Sequence, residues 1–258
     1  MNLFIHIAFV FLLRQDTAVI SSPIDTADAE FEATNYGRSI LIYDSLLTSS
    51  RDSAAILWKL ARSWVCAGDI APRSERIQFY TEAQDFAARA VKADSLSSDS
   101  HTWLAASIGN IAMYEGGKTK IHLCRTVKKE IDRALELNPG NALAYSILGS
   151  FYKALGDVSW FERRLAGIFL GGLPDGGYEE SEAAFRKAIT LAPGVIRNHY
   201  ELGKVYMQED RDGEAFIELQ RALYLPMHIG MDCEMQQSAA QLLEELKEKH
   251  PRDFREAN

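Results

Sequence analysis

The sequence predicts an all-α protein, a right-handed solenoid of stacked helix pairs with long insertions between repeat helices. Three observations carry that expectation. First, a seam recurs in which one apolar-periodic helix stops and another starts almost at once, as in Ile131 to Tyr152 around Asn138-Pro139-Gly140. Second, a small or apolar residue stands five positions before each seam. It forms the column Leu46, Ala90, Ala134, Ala188 and Ala222, in steps of 44, 44, 54 and 34 residues. Third, each first helix carries a Leu, a small residue and then a bulky one a turn later: Leu60-Ala61 with Trp64, Leu104-Ala105 with Ile108, Leu148-Gly149 with Tyr152, Leu202-Gly203 with Tyr206. Self-similarity at such periods is the mark of a repeat architecture.

Taken in order, residues 1–22 stand apart. The run Leu3 to Leu13 is almost wholly apolar and is followed by Arg14-Gln15-Asp16. It is too short to span a bilayer as a helix but suits a signal-peptide core or a short hydrophobic anchor. No Lys or Arg precedes it, and Ser21 and Ser22 are the nearest small residues after it. The chain is therefore expected to be exported (periplasmic or secretory) or membrane-tethered, with membrane contact only through this segment if it stays uncleaved. A cytoplasmic location is the alternative if the segment is not a signal.

Residues 23–53 read as a degenerate N-terminal repeat ahead of the four numbered ones, because Tyr36 and Ser39 keep the aromatic start and small residue of the better units. Residues 54–230 form the repeat domain. Its second helices open alike: Tyr80 to Asp94 and Tyr178 to Pro193 share the aromatic start, a small residue three later and the alanine ten later. Gly or Ala after Leu lets the partner helix approach closely, and the bulky residue fills the space beyond. Asn-Pro or Ala-Pro at the seam stops one helix and pre-sets φ for the turn. Only the unit from Arg197 to Met227 keeps plain spacing; the earlier three carry ten, ten and twenty more residues, placed between their helices. In the third, a helix from Ser159 to about Leu170 sets Trp160, Phe161, Leu165, Ile168 and Phe169 on an apolar side. Trp160, Phe161, Glu162 and Arg163 are thus candidates for clamping a partner or lipid, against a plain covering helix whose ions set its orientation. Residues 231–258 form a cap and tail, with Met235, Leu242, Leu243 and Leu246 at helical spacing.

These units resemble the tetratricopeptide repeat, a helix–turn–helix unit of 34 residues. The inserted pieces and Leu57 to Asp69 resemble the regulator of microtubule dynamics family over about Ala54 to Met227. The most specific parts are Gly117 to Ile121 (Gly-Lys-x-Lys-Ile) and Ser159 to Arg163 (Ser-Trp-Phe-Glu-Arg). The resemblance implies a non-enzymatic protein. Animal members of that family associate with microtubules or sit at mitochondria and endoplasmic reticulum, and one has a repeat domain implicated in phospholipid binding and transfer.

The chemistry of the chain agrees. It has 258 residues and a formal net charge of −8, with no basic run of five or more, so nucleic acid is excluded as a partner. Cys66, Cys124 and Cys233 are far apart, and six histidines form no H-E-x-x-H, so no metal ligands are assigned. No G-x-S-x-G or phosphate-binding glycine loop occurs; no catalytic residue and no cofactor is expected. Glu179 and Glu180 read as helix-start capping.

Spacing of four then three picks out the face of each first helix turned into the concave groove. It presents Trp58, Arg62 and Val65; Thr102, Ala106 and Gly109; Ser146, Ser150 and Lys153; Tyr200, Lys204 and Met207; with Asp99, Leu143 and Arg197 a turn earlier. The groove residues expected to meet a partner are Trp58, Arg62, Thr102, Ser146, Ser150, Lys153, Arg197, Tyr200 and Lys204. Four basic residues on an acidic protein point to a protein or peptide ligand, acidic in character. A phospholipid is the alternative ligand.

Overall fold

The computed structural model describes residues 22–49, 53–115, 117–159, 163, 164, 166, 167 and 172–251. Eleven helices and no strand are found among them: α1 (Pro23–Glu32), α2 (Tyr36–Ser49), α3 (Ala54–Ile70), α4 (Arg76–Ala93), α5 (Ser98–Ala112), α6 (Gly117–Leu137), α7 (Ala142–Gly156), α8 (Tyr178–Leu191), α9 (Ile196–Gln208), α10 (Asp212–Tyr224) and α11 (Asp232–Lys249). They pair as α1–α2, α3–α4, α5–α6, α7–α8 and α9–α10, each pair packs on the next, and α11 packs on α9 and α10. The first helices also touch along the stack, α3 on α5, α5 on α7, α7 on α9. The apolar run Leu3 to Leu13 and the residues Trp160, Phe161 and Glu162 lie outside the described residues.

Local chemistry sets the boundaries. Ser22 Oγ accepts the Asp25 amide at 3.2 Å while the Asp25 carboxylate accepts the Ser22 amide at 3.0 Å, a capping box with Pro23 at the first helical position. Asn141 caps α7 through the Ala144 amide at 3.0 Å. Its side-chain amide also donates to Ser98 Oγ and Thr102 Oγ1, so one seam residue fastens α5 to α7. Glu180 accepts the Gly177 amide at 2.8 Å, the capping role read from the sequence.

The long insertion of the third repeat does stand between its helices, since α7 ends at Gly156 and α8 starts at Tyr178. The first two repeats absorb their extra length differently. There the helices themselves are longer, 17 and 18 residues in α3 and α4, 15 and 21 in α5 and α6, against 13 in each of α9 and α10. Their sequences keep helical periodicity up to the turn, so added residues propagate a helix rather than open a loop.

The alanine column is the packing axis. Ala90, Ala134, Ala188 and Ala222 are all fully buried, and Leu46 holds the fifth place, half-buried. The small residues of the first helices meet large ones of the second at contact distance. A Cβ placed on Gly149 would lie 2.8 Å from the Phe185 ring, and one on Gly203 2.8 Å from Leu219. Ser181 uses the same closeness to donate to the Gly149 carbonyl at 2.8 Å. Full burial of a side chain such as Phe185 contributes about 1.5–3 kcal/mol.

Polar locks alternate between repeats. In the second and fourth, a buried histidine bridges three segments. His101 Nδ1 lies 2.5 Å from Glu130 and Nε2 3.1 Å from the Ser95 carbonyl. His199 repeats this with Glu218 at 2.6 Å and the Pro193 carbonyl at 3.0 Å. A carbonyl oxygen only accepts, so Nε2–H donates in each. In the first and third repeats, a Gly-Asp at the end of the first helix meets the opening tyrosine of the second. Tyr80 donates to Asp69 at 2.8 Å and Tyr178 to Asp157 at 2.6 Å. Beyond these, Glu182 on α8 accepts from Tyr206 at 2.9 Å, Arg186 at 2.9 Å and Arg211 at 2.6 Å, fastening α8 to α9 and to the turn before α10.

Two outcomes are expected. Gly149→Leu forces a side chain into the Phe185 ring and should cost about 1–3 kcal/mol. Because repeats couple mainly to neighbours, the calorimetric melt should broaden or split; an unchanged melt would refute the packing axis. The second concerns acid. The Arg211 hydrogen bond, against an opposing push from burial and helped by Arg186 and Tyr206, holds the Glu182 carboxyl down at about 2. A depressed carboxylate contributes stability that is complete above its ordinary value of 4.5 and is lost as pH falls toward about 2. Glu182→Gln should therefore lower stability at pH 7 by about 1–2 kcal/mol and flatten the acid limb of a denaturation-against-pH curve.

Candidate functional site

The first helices do line one side of the stack, but the groove read from spacing is neither open nor positive. Thr102 and Ser146, its expected floor, are 1% and 3% exposed. Thr102 Oγ1 donates to the Ser98 carbonyl and accepts from Asn141, so it is spent within the fold. Ser150 is half-buried and donates to the Ser146 carbonyl at 3.2 Å. Trp58 and Tyr200 stand half-buried, Tyr200 with Lys204 Nζ 4.8 Å from its ring centroid.

Each of the four expected cations faces a carboxylate. Arg62 bonds Asp28 of α1 at 2.9 Å and lies 3.7 Å over the Phe31 ring. Asp28 also takes Tyr43 at 2.5 Å and Lys59. Burial raises its carboxyl, yet the bonds from Lys59, Tyr43 and Arg62 outweigh this and hold it below the usual range. Lys153 Nζ lies 3.7 Å from both Asp157 and Glu201, and Lys204 Nζ 3.2 Å from the same Glu201. Arg197 on α9 faces Asp69 on α3, across the stack. Burial pushes the Asp69 carboxyl up, and Arg197 and the Tyr80 hydroxyl pull it partly back. Cys66 sits in the same place, its thiol pushed up to about 12 by burial.

A closure invisible to repeat counting joins the two ends of the stack. The segment between α10 and α11 meets the first repeats: the Gly230 amide donates to Tyr36 at 3.0 Å, and a Cβ on Gly230 would lie 3.0 Å from Ile70. Asp232 braces this turn by accepting the His228 and Ile229 amides at 2.7 and 2.9 Å.

In the third repeat's insertion, Arg163 is a structural pin. It donates to the Leu155 carbonyl at 2.8 Å, Gly176 at 3.2 Å and Pro174 at 3.3 Å, holding the segment against α7. The outer side of α6 is different in character. A hollow of about 790 Å³ lies beside it, lined by Arg125, Lys128, Lys129 and Arg133 of α6 together with Glu130, Asp132 and Glu136 of the same helix, with Ser95 and Pro174 as walls. This surface escaped the sequence reading, as did both locks. The signals were present: Glu130 and Glu218 each stand four residues before a column alanine, and Gly-Asp recurs at 68–69 and 156–157. Among the described residues no three His, Cys, Asp or Glu side chains group as metal ligands, and no helix is long and apolar enough to cross a membrane.

The closure has a measurable consequence. Tyr36→Phe removes only the acceptor of the Gly230 amide and should cost about 0.5–1.5 kcal/mol, with faster hydrogen exchange at Gly230 and α11. Exchange unchanged there would show that the ends are held by other contacts.

The whole stack, not its repeats alone, finds counterparts. The family model for regulator of microtubule dynamics protein 1-3 matches residues 23–247. Regulator of microtubule dynamics protein 1 from Bos taurus is 30% identical over 236 residues, covering 90% of this chain and 73% of its own. The protein of that name from Mus musculus is 31% identical over 232 residues, covering 88% and 75%. Among solved structures, a thermophilic TPR protein from Thermus thermophilus superposes with a TM-score of 0.64 at 16% identity, over 86% of this chain and 97% of that one. The bacterial likeness is one of fold. The match across 23–247, together with the mammalian identities, places this chain in the family of regulator of microtubule dynamics proteins.

Proposed function

We propose that the protein is a non-enzymatic scaffold whose helical stack binds a polypeptide partner, and that this partner belongs to the microtubule system after which its relatives are named. The observation that carries the reading is family membership over residues 23–247, on a solenoid whose buried histidines bond to carboxylates of their partner helices. Side chains spent on locks hold a rigid surface, the usual means by which repeat proteins bind. An acyl chain calls for an enclosed apolar chamber, whereas the hollow beside α6 is open and lined by charged groups. Those groups favour a polypeptide over the phospholipid alternative.

Location bears directly on this proposal. If the apolar run Leu3 to Leu13 serves as a retained tether, the repeats stay in the compartment that holds the polymer; if it is cleaved for export, they do not. Co-sedimentation of the purified chain from Ser22 onward with polymerised tubulin should show a saturable bound fraction. In cells, the full chain should fractionate with membranes at its uncleaved mass. A chain that stays in the supernatant with polymer, or is found secreted and shortened, rejects the microtubule reading.

A further inference from the structure

We propose that the outer face of α6 and the hollow beside it form a docking surface for an acidic, extended polypeptide segment. The proposal rests on the scaffold reading and deepens it by assigning the surface and the partner's chemistry.

Charge is distributed very unevenly. From Gly117 to Lys129 the sequence holds five Lys or Arg and no Asp or Glu, in a chain of net charge −8. On α6, His122, Arg125, Lys129 and Arg133 follow one another at steps of three, four and four residues, the spacing of a single helix face. Val127, Ile131 and Ala134 occupy the opposite, buried face. Lys128 is engaged by Asp132 at 2.7 Å and Arg133 by Glu136 at 3.1 Å. No carboxylate among the described residues pairs with Lys129, which is exposed. Arg125 donates to the Gly172 carbonyl at 2.7 Å, a bond that holds its guanidinium at the hollow's edge. On the concave face all four cations face a carboxylate, three of them one from another helix.

The alternation of charge selects an extended chain over a membrane. The hollow of about 790 Å³ lies open beside α6, with Ser95 and Pro174 at its sides. Asp132 and Glu136 along the same edge repel a continuous anionic sheet but can be straddled by a single chain. The 21 residues of α6 run about 32 Å at 1.5 Å per residue. An extended peptide of about ten residues spans the same length.

The test uses the chain from Ser22 onward and a fluorescein-labelled peptide of about ten glutamates, followed by anisotropy, with an Ala-Ser peptide of equal length as control. Binding should be confined to the acidic peptide. It should weaken as salt rises from about 0.01 to about 0.15 M, where the screening length falls from about 30 to about 8 Å. Lys129→Glu/Arg133→Glu should weaken it about tenfold, and Glu136→Lys should tighten it about threefold, with circular dichroism unchanged. Opposite signs from two exposed changes on one edge are not produced by lost structure. Equal affinity in all three proteins, or no binding by the unaltered chain, overturns the proposal. So does a preference, lost in the double variant, for vesicles of phosphatidylserine and phosphatidylcholine in equal amounts over the peptide. The same proteins are tested with polymerised tubulin. A chain that binds peptide through α6 but ignores polymer keeps this surface and removes the microtubule reading. A chain that pellets with polymer while neither variant alters peptide binding keeps the scaffold and removes the surface.

Discussion

The close approach of the two helices within each repeat is the constraint on which the rest of the structure depends. Phe185 can lie against α7 only because Gly149 has no side chain, and Leu219 against α9 only because Gly203 has none. The fully buried alanine column does the same from the other helix. Interiors packed at crystal density transmit such spacing directly. With the helices this near, short polar links become available: Ser181 reaches the Gly149 carbonyl, and Ser39 and Ser63 lie 3.1 Å apart in the core between α2 and α3. A bulkier column would separate the helices and break packing and polar links together.

The polar interior serves placement as much as stability. A buried histidine such as His101 or His199, or a largely buried aspartate such as Asp69, is costly unless its partners are in position, so those locks accept one arrangement of their helices. The histidine locks bind a helix to the carbonyl of the preceding seam and to its own partner helix. The Gly-Asp and tyrosine locks close the far ends of the first and third repeats. Between them they leave each helix pair bonded at alternating ends, which orients the stack without a continuous ladder of hydrogen bonds.

This economy also explains the distribution of charge. An acidic chain that winds its first helices together brings carboxylates from α1, α3 and α9 against the cations of the same face, because unpaired charges in a partly desolvated groove are unfavourable. Among the described residues no helix packs against the outer side of α6, and no such demand arises there. Positive charge persists there under solvent screening, accessible to whatever approaches from outside.

Much of this was legible in the chain itself. The helix pairs, the seams at Pro139 and Pro193, the capping at Glu180 and the tight contact at Gly149 follow from local rules of periodicity, capping and size, which act over a few residues. The family too was written in short motifs around Gly117 and Ser159. The groove was not legible in this way. Spacing along α9 shows that Arg197 and Lys204 share a face, but not that Asp69 stands across from one and Glu201 beside the other. Nor does it show that Gly230 folds back onto Tyr36, 194 positions away in sequence. Those outcomes depend on the summed rotation of successive helix pairs, set by helix lengths in the first repeats and by the insertion in the third. Local sequence determined which residues form helices and which sides pack; only the tertiary winding decided which charges meet and which remain exposed.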